Sequence, residues 1–170
     1  MSDSVVVIHK IDDDLLRDFI SSFNFIDTKD QASSYSDIYQ DFCSPAPMDR
    51  LLCGDVGFGK TEVILRASFI AANNKKQVVI IVPTTVLAKQ HYQTFKNRFN
   101  TYNFKINLMT RVLSSSEKNI SLDEIKNGDA QTIIGTHALL NKNIKYQNLG
   151  LLIIDEEHKF GAVSYTHLTL

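Results

Sequence analysis

Residues 54–63 read GDVGFGKTEV, and three of the chain's seven glycines fall in the first six of these positions. The stretch fits G-x-x-x-x-G-K-[S/T], with the apolar run RLLC at 50–53 before it and the helix-compatible KTEVILRASFIAANN at 60–74 after it. An apolar strand running into a glycine-rich turn and then a helix is the context that makes this pattern a phosphate-binding loop. Glycines there let the backbone take positive φ and bring N–H groups close to phosphate oxygens, and the helix start adds a favourable dipole. The spacing marks Gly54, Asp55, Val56, Gly57, Phe58, Gly59, Lys60 and Thr61 as the cradle of a nucleoside triphosphate. Lys60 is placed to reach the β- and γ-phosphates and the Thr61 hydroxyl to ligate Mg²⁺. A glycine-rich turn followed by Lys-Thr by chance is the alternative, and the strand and helix on either side weigh against it.

Working outward, residues 51–155 alternate short apolar runs with longer helix-compatible stretches: QVVIIVP, TTVLAKQHYQTFKNRF, FKINLMT, SSEKNISLDEIKNG, QTIIGT and LGLLIID. Strands this apolar on both faces belong in a mainly parallel sheet covered by helices, a three-layer α/β domain of the P-loop NTPase kind. Such sheets bind ligands at the carboxyl ends of their strands, where the motifs fall. Residues 1–47 form a helical lead-in, with IDDDLLRDFISSF reading as an amphipathic helix with an acidic first turn, and CSPAP at 43–47 as a linker. The nucleotide-binding domain proper spans 48–161, and 162–170 stand apart from it.

The 170 residues suit one domain with a hydrophobic core. With 18 basic and 19 acidic side chains the formal net charge is −1, which points neither to disorder nor to a basic nucleic-acid tail. The runs VVIIV at 78–82 and LLII at 151–154 are far shorter than the roughly 20 residues that cross a bilayer. MSDSVVVIHKIDDD lacks the features of a signal peptide, so a cytoplasmic location is expected. Cys43 and Cys53 have no metal-ligand spacing; both are expected to be reduced, with Cys53 buried in a strand.

The second chemical signal is LGLLIIDEEH at 149–158. Asp155 follows an apolar strand, where its carboxylate can hold the Mg²⁺ that Thr61 also binds. Glu156 is placed to orient and deprotonate the water that attacks the γ-phosphate. A guanine-nucleotide switch would need Asn-Lys-x-Asp, and the nearest match, Asn141-Lys142-Asn143-Ile144, has isoleucine in place of the aspartate. A small-molecule kinase has little use for Asp-Glu-x-His after a buried strand.

Asp155-Glu156-Glu157-His158 resembles the DExH signature of superfamily 2 helicases and translocases, and Pro83-Thr84-Thr85 with LAKQH and Gly135-Thr136-His137 with ALL resemble two further blocks of that family, in order. MDRLLCGDVGFGKTEV, VPTTVLAKQHYQTF, IIGTHALL and NLGLLIIDEEHKFG look like the first RecA-like motor domain of the bacterial transcription-repair coupling factors, the Mfd family. Phe58 and Glu157 favour that family over the RecG branch-migration helicases, which usually carry serine and glutamine there. The resemblance covers about residues 23–161 and implies ATP as the nucleotide. It implies an adenine-recognition segment at Phe23, Phe25, Thr28, Asp30 and Gln31, in which Gln31 hydrogen-bonds adenine and a phenylalanine, Phe25, packs on its face. A helix N-terminus capped by Thr28, with both phenylalanines in the core, is the equal alternative.

The resemblance further implies that Pro83, Thr84, Thr85, Gly135, Thr136 and His137 contact the backbone of double-stranded DNA without reading sequence. For His137 a satisfied structural histidine is the competing reading, and for His158 a role in coupling the ATP state to DNA is favoured. RNA polymerase and excision-repair proteins are the partners expected of full-length relatives, through modules outside this stretch. A second RecA-like domain, with an arginine directed at the same ATP, is also expected of such a motor, so the isolated piece should hydrolyse ATP very slowly. The readings left open are a RecG-type fork remodeller and an inactive nucleotide-binding fragment. Residues 163–170, VSYTHLTL, depart from the family pattern and resemble translated adapter sequence, so they are expected to be foreign to the domain; MSDSVVVIHK is doubtful as a natural start.

Overall fold

The run QVVII at 77–81 explains the layering, because it is buried along its whole length. Successive side chains of a strand point to opposite faces. Val78 and Ile80, with Val82 just beyond, enter one core cluster with Phe69, Phe95 and Phe99; Val79 and Ile81 enter another with Met109, Ile125 and Ile133. A strand with two apolar faces needs helices on both, which gives three layers. The structure, a computed structural model, describes residues 11–23, 26–46, 48–55, 59–156 and 163–169; of 53–55, 156 and 163–169 only the backbone is described.

In chain order the elements are α1 (Asp13–Ser21), α2 (Lys29–Cys43), β1 (Asp49–Asp55), α3 (Lys60–Asn73), β2 (Gln77–Ile81), α4 (Thr85–Phe99), β3 (Ile106–Met109), α5 (Ser115–Asn127), β4 (Thr132–Gly135), a 3-10 turn His137–Leu140, β5 (Leu149–Glu156) and β6 (Val163–Thr169). Helices α1, α2, α4 and α5 begin where the sequence supplies oxygen acceptors for the first free N–H groups. Asp12 accepts from the Leu15 amide at 3.1 Å and Thr84 from that of Leu87 at 3.2 Å. Thr28 with Gln31, and Ser114 with Glu117, form reciprocal capping boxes. α5 stops at Gly128, whose φ of +80° is the left-handed turn that only glycine adopts without strain.

The strand order is β1-β6-β5-β2-β4-β3. β5, β2, β4 and β3 pair in parallel, and β6 runs antiparallel to both β1 and β5. β1 therefore shares the direction of the parallel strands, and the sheet is mainly parallel, as the alternating pattern predicts. Residues 163–169, expected from the sequence to be foreign to the domain, occupy the place between β1 and β5 as β6.

Residues 62–72 of α3 are buried on every side, since α3 lies between the sheet and the α1–α2 pair. At its centre Phe69 stacks on Phe19 of α1, centroids 4.3 Å apart and 10° from parallel, and meets Tyr102 edge-on at 4.9 Å. Phe69→Ala leaves a hole in this aromatic cluster and should lower the unfolding free energy by about 3–5 kcal/mol. Ile120→Ala, at a side chain 58% exposed, should change it by less than about 0.5 kcal/mol, and urea titration of both variants checks the contrast.

Candidate nucleotide site at the carboxyl edge of the sheet

Gly59 closes the phosphate-loop pattern with φ +73° and serves as N-cap of α3 without any side-chain hydrogen bond. The helix start thus carries amide donors and no competing cap. A Cβ added at Gly59 would lie 1.9 Å from Nε2 of Gln31, so the absence of a side chain is what lets the 28–31 segment close against the loop. Gln31 is held for this contact by its capping box: its Oε1 accepts the Thr28 N–H at 2.8 Å. The structure thereby brings together two candidates 28 positions apart in sequence. Lys60, half-buried, and Thr61, exposed, occupy the first turn of α3.

Gly54 and Asp55 differ from expectation. They are the last residues of β1, paired with Ser164 and Val163, and strand pairing keeps Gly54 extended instead of in the left-handed turn read from the motif. Val56, Gly57, Phe58, Phe25 and His158 lie outside the described residues, as does Glu157. Phe23 is half-buried with the Arg98 guanidinium 5.5 Å above its ring, which places it in packing at the end of α1.

Asp155 and Glu156 end β5. Through β6, Gly54 stands opposite Ser164 and Glu156 opposite Tyr165, so the ends of β1 and β5 are level and two strand spacings apart, roughly 10 Å. The Asp155 side chain is 15% exposed and one of its oxygens, Oδ2, lies 3.2 Å from Nε2 of His91 on α4. Among the described residues no three His, Cys, Asp or Glu side chains gather into a metal-binding group. A hydroxyl and a single carboxylate nevertheless suit magnesium, which takes few protein oxygens and fills its shell with phosphates and water.

The remaining candidates fall on the same edge. Ile81 of β2 pairs with both Gly135 of β4 and Ile154 of β5. Pro83-Thr84-Thr85 and Gly135-Thr136-His137 therefore leave adjacent parallel strands side by side, next to Asp155. Pro83, Thr84 and His137 are exposed. Gly135 has a packing reason as well: a Cβ there would meet the Met109 carbonyl oxygen at 2.4 Å and the Leu139 side chain at 2.9 Å.

Residues 28–168 match the DEAD/DEAH box helicase family. The chain belongs to that family. It is 52% identical over 144 residues to the transcription-repair-coupling factor of Buchnera aphidicola subsp. Acyrthosiphon pisum (strain APS), covering 85% of this chain and 18% of that protein. To the transcription-repair-coupling factors of Escherichia coli (strain K12) and Bacillus subtilis (strain 168) it is 49% and 50% identical, over 85% and 89% of this chain and 12% and 13% of theirs. The solved structure of RecG bound to a three-way DNA junction superposes with a TM-score of 0.82 at 38% identity, over 90% of this chain and 21% of that one. The chain thus spans about a fifth or less of the length of each of these relatives. No helix among the described residues is long and apolar enough to cross a membrane.

Beside this candidate edge the chain carries a charge cluster that sequence reasoning did not find. Arg66 on α3 donates to both carboxylate oxygens of Asp27 at 2.9 Å and to Glu62 at 3.0 Å. Arg98 at the end of α4 reaches the same Glu62 oxygen at 2.9 Å, and Arg66 also lies 3.8 Å over the Tyr35 ring. Burial raises the Tyr35 phenol well above its ordinary pKa, so it stays protonated. Glu62 follows Thr61 by one residue and Asp27 precedes Thr28 by one, so the cluster ties the phosphate-loop helix to the Gln31 segment and to α4. The partners lie 36 and 39 residues apart, beyond helix or strand periodicity; an arginine in the apolar ILRASF run was the one available signal.

Gly59→Ala should destabilise the fold by more than the about 1–2 kcal/mol of a left-handed alanine, because the methyl also displaces Gln31. In a Gln31→Ala background only the backbone part should remain, and a double-mutant cycle in denaturant reads the difference.

Proposed function

We propose that this chain is the ATP-binding half of an ATP-dependent double-stranded DNA translocase that couples transcription to DNA repair by displacing stalled RNA polymerase. The observation that supports it most is the convergence, at one sheet edge, of the α3 start, the Asp155-Glu156 strand end, and the Pro83-Thr84-Thr85 and Gly135-Thr136-His137 loops. Likeness to transcription-repair-coupling factors across most of the chain supports the choice of task.

In this reading the backbone from Gly54 to Thr61 cradles the triphosphate and Lys60 binds its terminal phosphates. Gln31, with Phe25, recognises adenine. Thr61 and Asp155 hold Mg²⁺, which when bound neutralises charge on the phosphate oxygens. Glu156 accepts a proton from the water that attacks the γ-phosphorus, and the bond from that phosphorus to the bridging oxygen of ADP breaks. The exposed hydroxyl and amides of the Thr84 loop, with those of Thr136, bind DNA phosphates without reading bases. Stepping requires a second RecA-like domain whose arginine stabilises the transferring phosphoryl group, a contribution worth roughly 10³–10⁵ in rate. RNA polymerase and excision-repair proteins are the partners of the longer protein, and His158 couples nucleotide state to DNA. A second reading, RecG-type branch migration, draws support from the likeness to the RecG–junction complex.

Lys60→Ala should weaken equilibrium binding of a fluorescent ATP analogue about 10–100-fold, the loss of a charge-assisted phosphate contact. Glu156→Gln in the full-length protein should leave that binding unchanged and slow hydrolysis by roughly 10²–10⁴. Unimpaired turnover by Glu156→Gln would remove Glu156 as the base. In the same full-length protein, release of a stalled RNA polymerase from DNA separates the translocase reading from branch migration of a junction.

A further inference from the structure

His91 lies on the inward stripe of α4 between Ala88 and Phe95 and is 8% exposed. A leucine or phenylalanine would satisfy packing there, since burying an imidazole is unfavourable unless its nitrogens find partners. Nδ1 is buried and has no hydrogen-bond partner among the described residues. Nε2 is 3.2 Å from Oδ2 of Asp155, the carboxylate at the end of β5. Among the described residues the ring thus meets one polar group, and that group is the proposed magnesium ligand.

We propose that His91 is a positioning residue for Asp155: by donating from Nε2 it fixes the rotation of the carboxylate and so sets the magnesium dependence of nucleotide binding. The proposal rests on the ATP-site reading above. Metal-ligating carboxylates are commonly held by such a second hydrogen bond, and its loss typically weakens metal affinity 10–100-fold. Packing alone gives a different expectation, in which any apolar residue at 91 serves as well as histidine.

The experiment is equilibrium binding of a fluorescent ATP analogue to this chain across a magnesium titration, with thermal unfolding followed alongside. His91→Met should raise the magnesium concentration for half-maximal binding roughly 10–100-fold while leaving metal-free nucleotide affinity unchanged. His91→Gln, whose amide nitrogen reaches about as far as Nε2, should restore most of the original dependence. If His91→Met does not fold, the polar pair decides: His91→Asn, too short to reach Asp155, should show the shift and His91→Gln should not. Equal magnesium dependence in Gln and Asn variants, an unshifted His91→Met, or equal loss of binding with and without magnesium overturns the positioning role alone. Absence of nucleotide binding by the unaltered chain at every magnesium concentration overturns the site reading, and this proposal with it.

Discussion

Three of the candidate loops hang from the pairing of β2 with its two parallel neighbours. Ile81 stands beside Gly135 on one side and Ile154 on the other, and Val82 donates to the Gly135 carbonyl at 2.9 Å. Because side chains alternate with period two, a one-residue slip would turn Val79 and Ile81 out of one core and Val78 and Ile80 out of the other. Two cores rather than one therefore specify this register. Fixing it levels the strand ends, and the loops after Val82, Gly135 and Ile154 are presented together as a result.

The charged cluster on the helical side performs a comparable task between elements that share no backbone hydrogen bonds. Arg66 lies among Asp27, Glu62 and Tyr35, and Arg98 enters from α4. Buried ion pairs of this kind contribute little net stability relative to apolar replacements, yet a single lost partner leaves a stranded charge. Such an arrangement specifies geometry more than it stabilises: it fixes where the Gln31 segment meets Gly59, where a gap of one Cβ separates fit from clash.

Local chemistry was legible in the sequence. The helix starts at Asp12, Thr28 and Ser114 follow from capping patterns, β2 and β5 from apolar runs, and the phosphate-loop helix from Gly59-Lys60-Thr61, because each depends on residues within one or two turns. What escaped depends on residues distant in sequence. The His91–Asp155 contact joins positions 64 apart, and nothing in LAKQH says which strand end the helix will face. His91 did fall on the Ala88, Phe95, Phe99 stripe, so its burial was readable although its partner was not. Gly54 was misread for a related reason: the motif fixes that a glycine occurs there, whereas pairing with Ser164 decides that it remains extended. The position of β6 between β1 and β5 was equally invisible, since order in a sheet is a property of the assembled chain.

Helix α4 carries polar anchors at regular intervals along its length. Its first N–H groups are tied to the exposed Thr84, His91 touches the end of β5 two turns later, and Arg98 engages Glu62 another two turns on. At 1.5 Å per residue these three anchors are spaced by roughly 10 Å along one stiff rod. A rod fastened at several points transmits displacement instead of absorbing it. Any displacement of α4 along its axis would carry the imidazole beside Asp155 and the guanidinium beside Glu62 together.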